Sequence, residues 1–282
     1  MHKNFFHTEK LSEHLIAIWS ACGEVLYYIQ GEKRGLLMDT NLGVGHLKEL
    51  VDSMARTPYD VVLTHGHVDH ALGAAAFEKV YMNEADIPIY KAMSPMEERL
   101  GYLQACLGDS FKDYGFTEDD FILPTPDYAF TSLTDGMVFD LGGITVEMIA
   151  FPGHTPGSMA LFLPELRILI TGDACNDSTF LFDENASSVE EYLSTVTAVR
   201  ERLSGCYDRV LICHHEVDTG SDLLENMAEV CKDILEGKAD DLPFPFRGMT
   251  GYIAKACSPQ FQRTDGKCAN LIYNKSHMFK AK

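Results

Sequence analysis

The sequence predicts an α/β fold of two sheet-and-helix halves, and three observations carry that prediction. Short apolar runs and helically spaced segments follow in the order strands, helix, strand, helix, and the same order returns later. A segment of different character, at about 84–135, parts the two series. In both halves, polar residues of metal-ligand type stand directly behind apolar runs. This order fits a four-layer αββα sandwich with both sheets inside and helices outside. The 282 residues are read as one domain, 1–282, with a helical lid inserted at about 84–135.

The elements follow in turn. Leu15 to Ser20, Val25 to Gln30 and Gly35 to Asp39 read as an antiparallel meander, parted by Gly23-Glu24 and by Gly31 to Arg34. Asn41 to Gly45 is a loop, and His46 to Arg56 carries Leu47, Leu50, Val51 and Met54 at helical spacing until Pro58 stops it. Asp60 to Leu63 is a buried strand, the alanine-rich segment from Ala71 a helix, and Lys79 to Met82 a short strand. Within the insertion, Glu84 to Met93 and Pro95 to Leu107 read as helices. An irregular stretch rich in large side chains follows, including Phe111, Tyr114, Phe116 and Phe121. More than 40 residues without strand character suggest a lid, or else aromatics packing the insertion onto the body.

Strands resume at Met137 to Asp140, Ile144 to Phe151, Met159 to Leu163 and Arg167 to Thr171. Ser187 or Ser188 caps a helix running to about Leu203, with Glu190 and Glu191 favourably placed in its first turn. Arg209 to Cys213 is a last buried strand, Ser221 to Glu236 a helix, and Thr250 to Ala256 and Asn270 to Asn274 are strand-like.

Composition narrows the function. Hydrophobic residues make up 46% and charged residues 23%, a balance that supports a sizeable core. The formal net charge of −19 repels phosphate backbones and anionic headgroups, so neither nucleic acid nor membrane is expected as a partner. No apolar run is long enough to span a bilayer, and Met1 to His7 lacks the apolar core of a secretion signal. Eight scattered cysteines then read as reduced thiols of a cytoplasmic protein. Oligomeric state stays open, a homo-oligomer included.

The chemistry is concentrated in Thr64 to His70, directly behind Val61-Val62-Leu63. His65 and His67, two apart in an extended segment, leave the backbone on one side. Asp69 and His70 follow where the chain turns into a helix. One loop thus offers two nitrogens to one cation and a carboxylate plus a nitrogen to a neighbour. His154 follows the strand ending at Phe151, Asp173 the strand ending at Thr171, and His214 and His215 the strand ending at Cys213. Each of these alone is an ordinary turn residue; jointly they make a rigid polar site on strand ends.

HGHVDH at 65–70, the PGHTPGS loop with His154, TGD with Asp173 and the late histidine together resemble the metallo-β-lactamase superfamily of binuclear metallohydrolases. The resemblance implies that His65, His67 and His154 hold a first metal. Asp69, His70 and a late histidine hold a second, and Asp173 bridges both. The family's Pro-Gly-His stands here as Cys213-His214-His215, and aligning the last three positions makes His215 the ligand and His214 a pocket residue. Imidazole and carboxylate suit two divalent ions, Zn first, with Fe and Mn as alternatives. Such a pair lowers the pKa of a shared water towards about 7. The implied enzyme is a metal-dependent hydrolase whose metal-bound hydroxide attacks an ester, thioester or lactone carbonyl of a small molecule, with Asp69 also steering the proton.

The pattern points to the glyoxalase II-like branch. The short tail after Glu236 lacks that enzyme's basic glutathione-binding domain, and Asn176 replaces the tyrosine of acyl-homoserine lactonases. The alternative is a mono-iron oxidoreductase of the same fold, similar to persulfide dioxygenases. Asn176, Phe180, Phe182 and His214 are the expected pocket residues, the phenylalanines forming an apolar wall.

Overall fold

The computed structural model describes residues 4–246 and 248–280, and the chain divides into two compact units, Met1–Val146 and Glu147–Lys282. The first is built on a seven-stranded sheet ordered β1 (Phe6–Lys10), β2 (Leu15–Ser20), β3 (Val25–Gln30), β4 (Gly35–Met38), β5 (Tyr59–Val62), β6 (Val80–Met82) and β7 (Thr131–Ser132). The meander β1 to β4 pairs antiparallel, and β4 to β7 pair parallel. The parallel pairs need crossovers. These are α1 (Leu47–Met54), α2 (Val68–Ala71) and the segment carrying α3 (Ile87–Met93), α4 (Met96–Leu107) and α5 (Phe111–Tyr114).

Strand β3 is buried at every position, and its Leu26 and Tyr28 join Leu37, Val61 and Leu63 in the core of this unit. Burial of each such side chain stabilises the fold by about 1.5–3 kcal/mol. The aromatics of segment 84–135 pack against the same core, Phe111, Tyr114, Phe116, Phe121 and Tyr128 among them. One buried cation, Arg99 on α4, holds the segment from within. Its guanidinium donates to the carbonyls of Ile122 and Leu72, which offsets part of the cost of burying charge.

The chain leaves this unit through β8 (Val138–Asp140) and a turn closed by Leu141 N–H donating to Ile144 O at 2.9 Å. The second unit begins within β9 (Thr145–Ala150) and continues with β10 (Met159–Leu163), β11 (Ile168–Ile170) and β12 (Thr179–Leu181). Next come α6 (Val189–Arg202), β13 (Arg209–Leu211), β14 (Asp218–Thr219) and α7 (Leu223–Leu235), then β15 (Leu242–Phe246), β16 (Met249–Ile253) and β17 (Leu271–Tyr273). One sheet runs β9-β10-β11-β13-β14, and a second runs β12-β17-β16-β15. Helices α6 and α7 cover the core with Val189, Tyr192, Val196, Leu224, Met227 and Cys231.

The α/β class holds, and most expected strand ends fall within a residue or two, although β16 stops at Ile253 rather than Ala256 and β7, β12 and β14 lie where no strand was expected; three further places differ. The helix after the histidine loop begins at Val68 and yields at Gly73 to a 3₁₀ turn over Ala74–Ala76. Strand β1 is exposed at four of its five positions, so its sequence lacks the apolar signature of a core strand. Strand β15, Leu-Pro-Phe-Pro-Phe, lies outside the strand-like runs expected after Glu236; its Pro243 and Pro245 are tolerated because β15 is an edge, where missing N–H groups face no second partner.

Candidate metal centre

The histidine loop begins where β5 ends. Asp39, just beyond β4, organises it. The Thr64 amide donates to Asp39 Oδ1 at 2.7 Å and its hydroxyl to Oδ2 at 2.9 Å, while His70 Nδ1 donates to Oδ2 at 2.9 Å. Having given its proton to a carboxylate, the Thr64 oxygen accepts from His65 Nδ1 at 3.0 Å. Both imidazoles are thereby fixed as Nδ1–H tautomers with the Nε2 lone pair presented outward. This is how histidine ligands are oriented in metal sites. The His65 and His67 rings stand edge to face with centroids 4.8 Å apart, and His70 Nε2 lies 3.5 Å from Asp69 Oδ2.

Gly66 is required between the histidines, because a Cβ there would lie 2.6 Å from the Asp86 carbonyl oxygen. Its amide donates to Asp86 Oδ2 at 2.8 Å, and Val68 N–H approaches Met93 Sδ at 3.2 Å. Segment 84–135 therefore braces the loop from below. It also supplies Tyr102, whose hydroxyl stands 2.8 Å from Asp69 Oδ2 and 2.8 Å from Glu24 Oε1. Glu24 is itself buried and accepts from Ser20 Oγ and, at 3.1 Å, from Asn41 Nδ2. Burial, reinforced by the Asp69 and Glu24 carboxylates, pushes the Tyr102 phenol well above its ordinary range, so it stays a proton donor.

The second unit carries its own set. His154 Nδ1 donates to the Phe180 carbonyl at 2.7 Å, leaving Nε2 3.8 Å from Asp173 Oδ2. The loop before it passes so close to Tyr192 that a Cβ on Gly153 would meet the ring at 2.2 Å. Asp173 Oδ1 accepts from Asn176 Nδ2 and from Cys213 Sγ, each at 3.1 Å, and Oδ2 lies 3.2 Å from His214 Nε2.

The late histidine beside Asp173 is therefore His214. His215 takes a left-handed backbone (φ 61°), with its ring centroid 6.0 Å from that of His214. Where a ligand was expected at His215 and a pocket residue at His214, the turn just past Cys213 carries His214 to the Asp173 carboxylate. Asn176, expected to line a pocket, is buried and spends its amide on Asp173, with Ser178 N–H donating to its Oδ1 at 2.7 Å. Phe180 and Phe182 stand in an aromatic group, with centroids 5.3 Å apart and Phe244 and Phe246 beside them.

Sequence reasoning missed Asp39, Glu24, Asp86 and Tyr102. Asp39 had a usable signal, a carboxylate directly past an apolar strand like His65 and Asp173. The other three act from segments whose partners are distant in sequence.

In each unit, then, imidazoles anchored through Nδ1 stand beside buried carboxylates, a donor set that suits Zn, Fe or Mn. The family model of the metallo-beta-lactamase superfamily matches residues 20–203, and the chain belongs to that superfamily. It is a hydrolase of a metal-dependent family. Two curated relatives bear on its particular kind. The human acyl-coenzyme A thioesterase MBLAC2 is 26% identical over 212 residues, 66% of this chain and 69% of its own length. The hydroxyacylglutathione hydrolase GloC of Haemophilus influenzae is 25% identical over 185 residues, 64% and 79%. Among solved structures, a metallo-beta-lactamase from Pontibacter korlensis has a TM-score of 0.55 at 18% identity, covering 81% of this chain and 99% of that one. The sec-alkylsulfatase Pisa1 from Pseudomonas sp. has a TM-score of 0.60 at 16% identity, covering 82% and 42%. These likenesses carry the fold alone. Among the described residues no helix is long and apolar enough to cross a membrane.

Proposed function

We propose that the protein is a binuclear metal-dependent thioesterase acting on small acyl thioesters. The observation that carries the reading is the tautomer control of His65, His70 and His154. Each is held through Nδ1 by an acceptor or an acceptor relay, so Nε2 is the nitrogen each would turn to a cation. His65, His67 and His154 would hold one ion, Asp69, His70 and His214 the other, with Asp173 between them. Such ions supply Lewis acidity to the thioester carbonyl and acidify the attacking water.

The chain's own residues do the rest. Asp39 orients two imidazoles at once, so His65 and His70 need no rearrangement on binding. Asn176 and Cys213 donate to Asp173 Oδ1 and hold its carboxylate in one rotamer. Asp69 accepts a proton from water, and Tyr102, donating to it, keeps the carboxylate aimed. Phe180 and Phe182 give an apolar surface for the acyl chain. The thioester class is supported by the two relatives above, an acyl-coenzyme A thioesterase and a hydroxyacylglutathione hydrolase, since an acyl group on glutathione sulfur is also a thioester.

The test combines metal analysis with a substrate panel. Zn-, Fe- or Mn-reconstituted protein should carry about two ions per chain and cleave acyl-coenzyme A or acyl-glutathione faster than oxygen esters and lactones. His214→Ala should bring the stoichiometry towards one, while His215→Ala leaves it unchanged. Metal loss on His215→Ala alone, or oxygen uptake without hydrolysis, would overturn the reading.

A further inference from the structure

Beside the Glu24–Tyr102–Asp69 array lies a pair of thiols that the proposed hydrolysis does not use. Cys22 sits in the turn between β2 and β3, and Cys106 sits near the end of α4. Their sulfur atoms and a Glu24 carboxylate oxygen all lie within 4.8 Å of one another. Both backbones are held. Cys22 N–H donates to Ser20 Oγ at 3.0 Å, and Ser20 N–H donates to the Glu24 carbonyl at 2.8 Å across the turn. Helix α4 is pinned one and two turns earlier by Tyr102 and by buried Arg99. Access favours reaction: Cys106 is exposed and Cys22 half-buried, whereas Cys175, Cys213 and Cys231 are buried.

We propose that Cys22 and Cys106 form a reversible dithiol–disulfide couple, oxidised by peroxides, that ties the β2–β3 turn to α4. A disulfide needs a sulfur separation of about 2.05 Å, so the pair, within 4.8 Å of each other, has to close by side-chain rotation. Cys106 is the first nucleophile. The hydrogen bond from Cys22 holds its thiol below the ordinary range, and that same bond, with burial, pushes Cys22 up. The Cys106 sulfur attacks one peroxide oxygen, breaking the O–O bond, releasing hydroxide and becoming a sulfenic acid. The Cys22 sulfur then displaces its hydroxyl group as water, forming the S–S bond. Two thiols lose two electrons in all, one peroxide becomes two waters, and a dithiol such as dithiothreitol reverses the change.

The link would join the two segments that carry Glu24 and Tyr102. Cys22 is two residues before Glu24, and Cys106 is one helical turn beyond Tyr102, so the oxidised form holds the tyrosine on Asp69. The test is titration of the reduced full chain with hydrogen peroxide, followed by thiol counting and non-reducing peptide mapping. The expected result is loss of two thiols per chain, a linked peptide containing Cys22 and Cys106, and full recovery on reduction. In Cys22→Ser a dimedone adduct should accumulate on Cys106, and in Cys106→Ser the half-buried Cys22 should react at least about tenfold more slowly. Oxidation of Cys206, Cys257 or Cys268 ahead of this pair, or Cys106 over-oxidised without any linked peptide in the unsubstituted protein, would overturn the proposal.

Discussion

Asp39 touches Thr64 and His70 directly and His65 through the Thr64 hydroxyl, so one carboxylate sets the tautomers of two ligand-type imidazoles. Tyr102 plays the corresponding part for Asp69. Its phenol is held protonated by burial, and its oxygen is shared with Glu24. Tyr102→Phe keeps the ring and removes only the donor. Changes to groups that orient metal ligands typically cost 10- to 100-fold in affinity or activity. On the proposed two-ion reading, the variant should therefore bind the ion held by Asp69 roughly tenfold more weakly and lose kcat by a similar factor, with KM nearly unchanged. A metal titration with steady-state kinetics checks this. Loss confined to thermal stability, with metal affinity intact, would make Tyr102 merely structural.

At the scale of elements, each unit presents its candidate ligands by the same device. A buried strand ends, a glycine lets the backbone pass close to a neighbour, and a polar side chain is placed at the edge. Gly66 against Asp86 and Gly153 against Tyr192 are the two close approaches. The second is stabilised by α6, whose N-terminus carries a capping box. Ser188 Oγ accepts from Glu191 N–H at 3.3 Å, and the Glu191 carboxylate accepts from the Ser188 amide at 3.3 Å. Of the two serines expected as the cap, Ser188 is the one used. Ser188→Ala should cost about 1 kcal/mol, read as a fall of a few degrees in Tm. Because Tyr192 of this helix packs on the His154 loop, metal loading should be more heat-labile in the variant. Unchanged Tm would show that α6 is held by packing alone.

Across the whole molecule, buried phenols set an alkaline limit. Burial pushes Tyr28 up to about 12, with Arg56 opposing it weakly. Burial likewise raises Tyr90 and Tyr192, and raises Tyr59 and Tyr273 with help from Asp52 and Asp241. Unfolded, these groups release protons near pH 10; folded, they hold them to higher pH. The unfolded state thus binds fewer protons above about pH 10, and stability present below that pH is lost as pH rises through the Tyr28 window of about 10 to 12. Urea midpoints should be flat from about pH 8 to 9.5 and fall steeply by about pH 11. Phenolate absorbance should rise together with loss of secondary structure. Free titration of all 12 tyrosines near pH 10 in a chain that stays folded would contradict this.

The sequence alone determined the α/β class, most strand ends and the spacing of His65, His67, Asp69, His70, His154 and Asp173, because hydrophobic periodicity and short motifs are local along the chain. Tertiary structure decided what depends on contacts between distant segments. The proline-bearing edge strand β15 is stable only because β16 pairs with it. His214 meets Asp173 because of where the chain turns after Cys213. Glu24, Tyr102 and Asp69 are 78 and 33 residues apart in sequence as bonded pairs, and only folding makes them neighbours. A motif records which atoms can bind; the rotamers and tautomers that let them bind are set by hydrogen bonds from elsewhere in the fold.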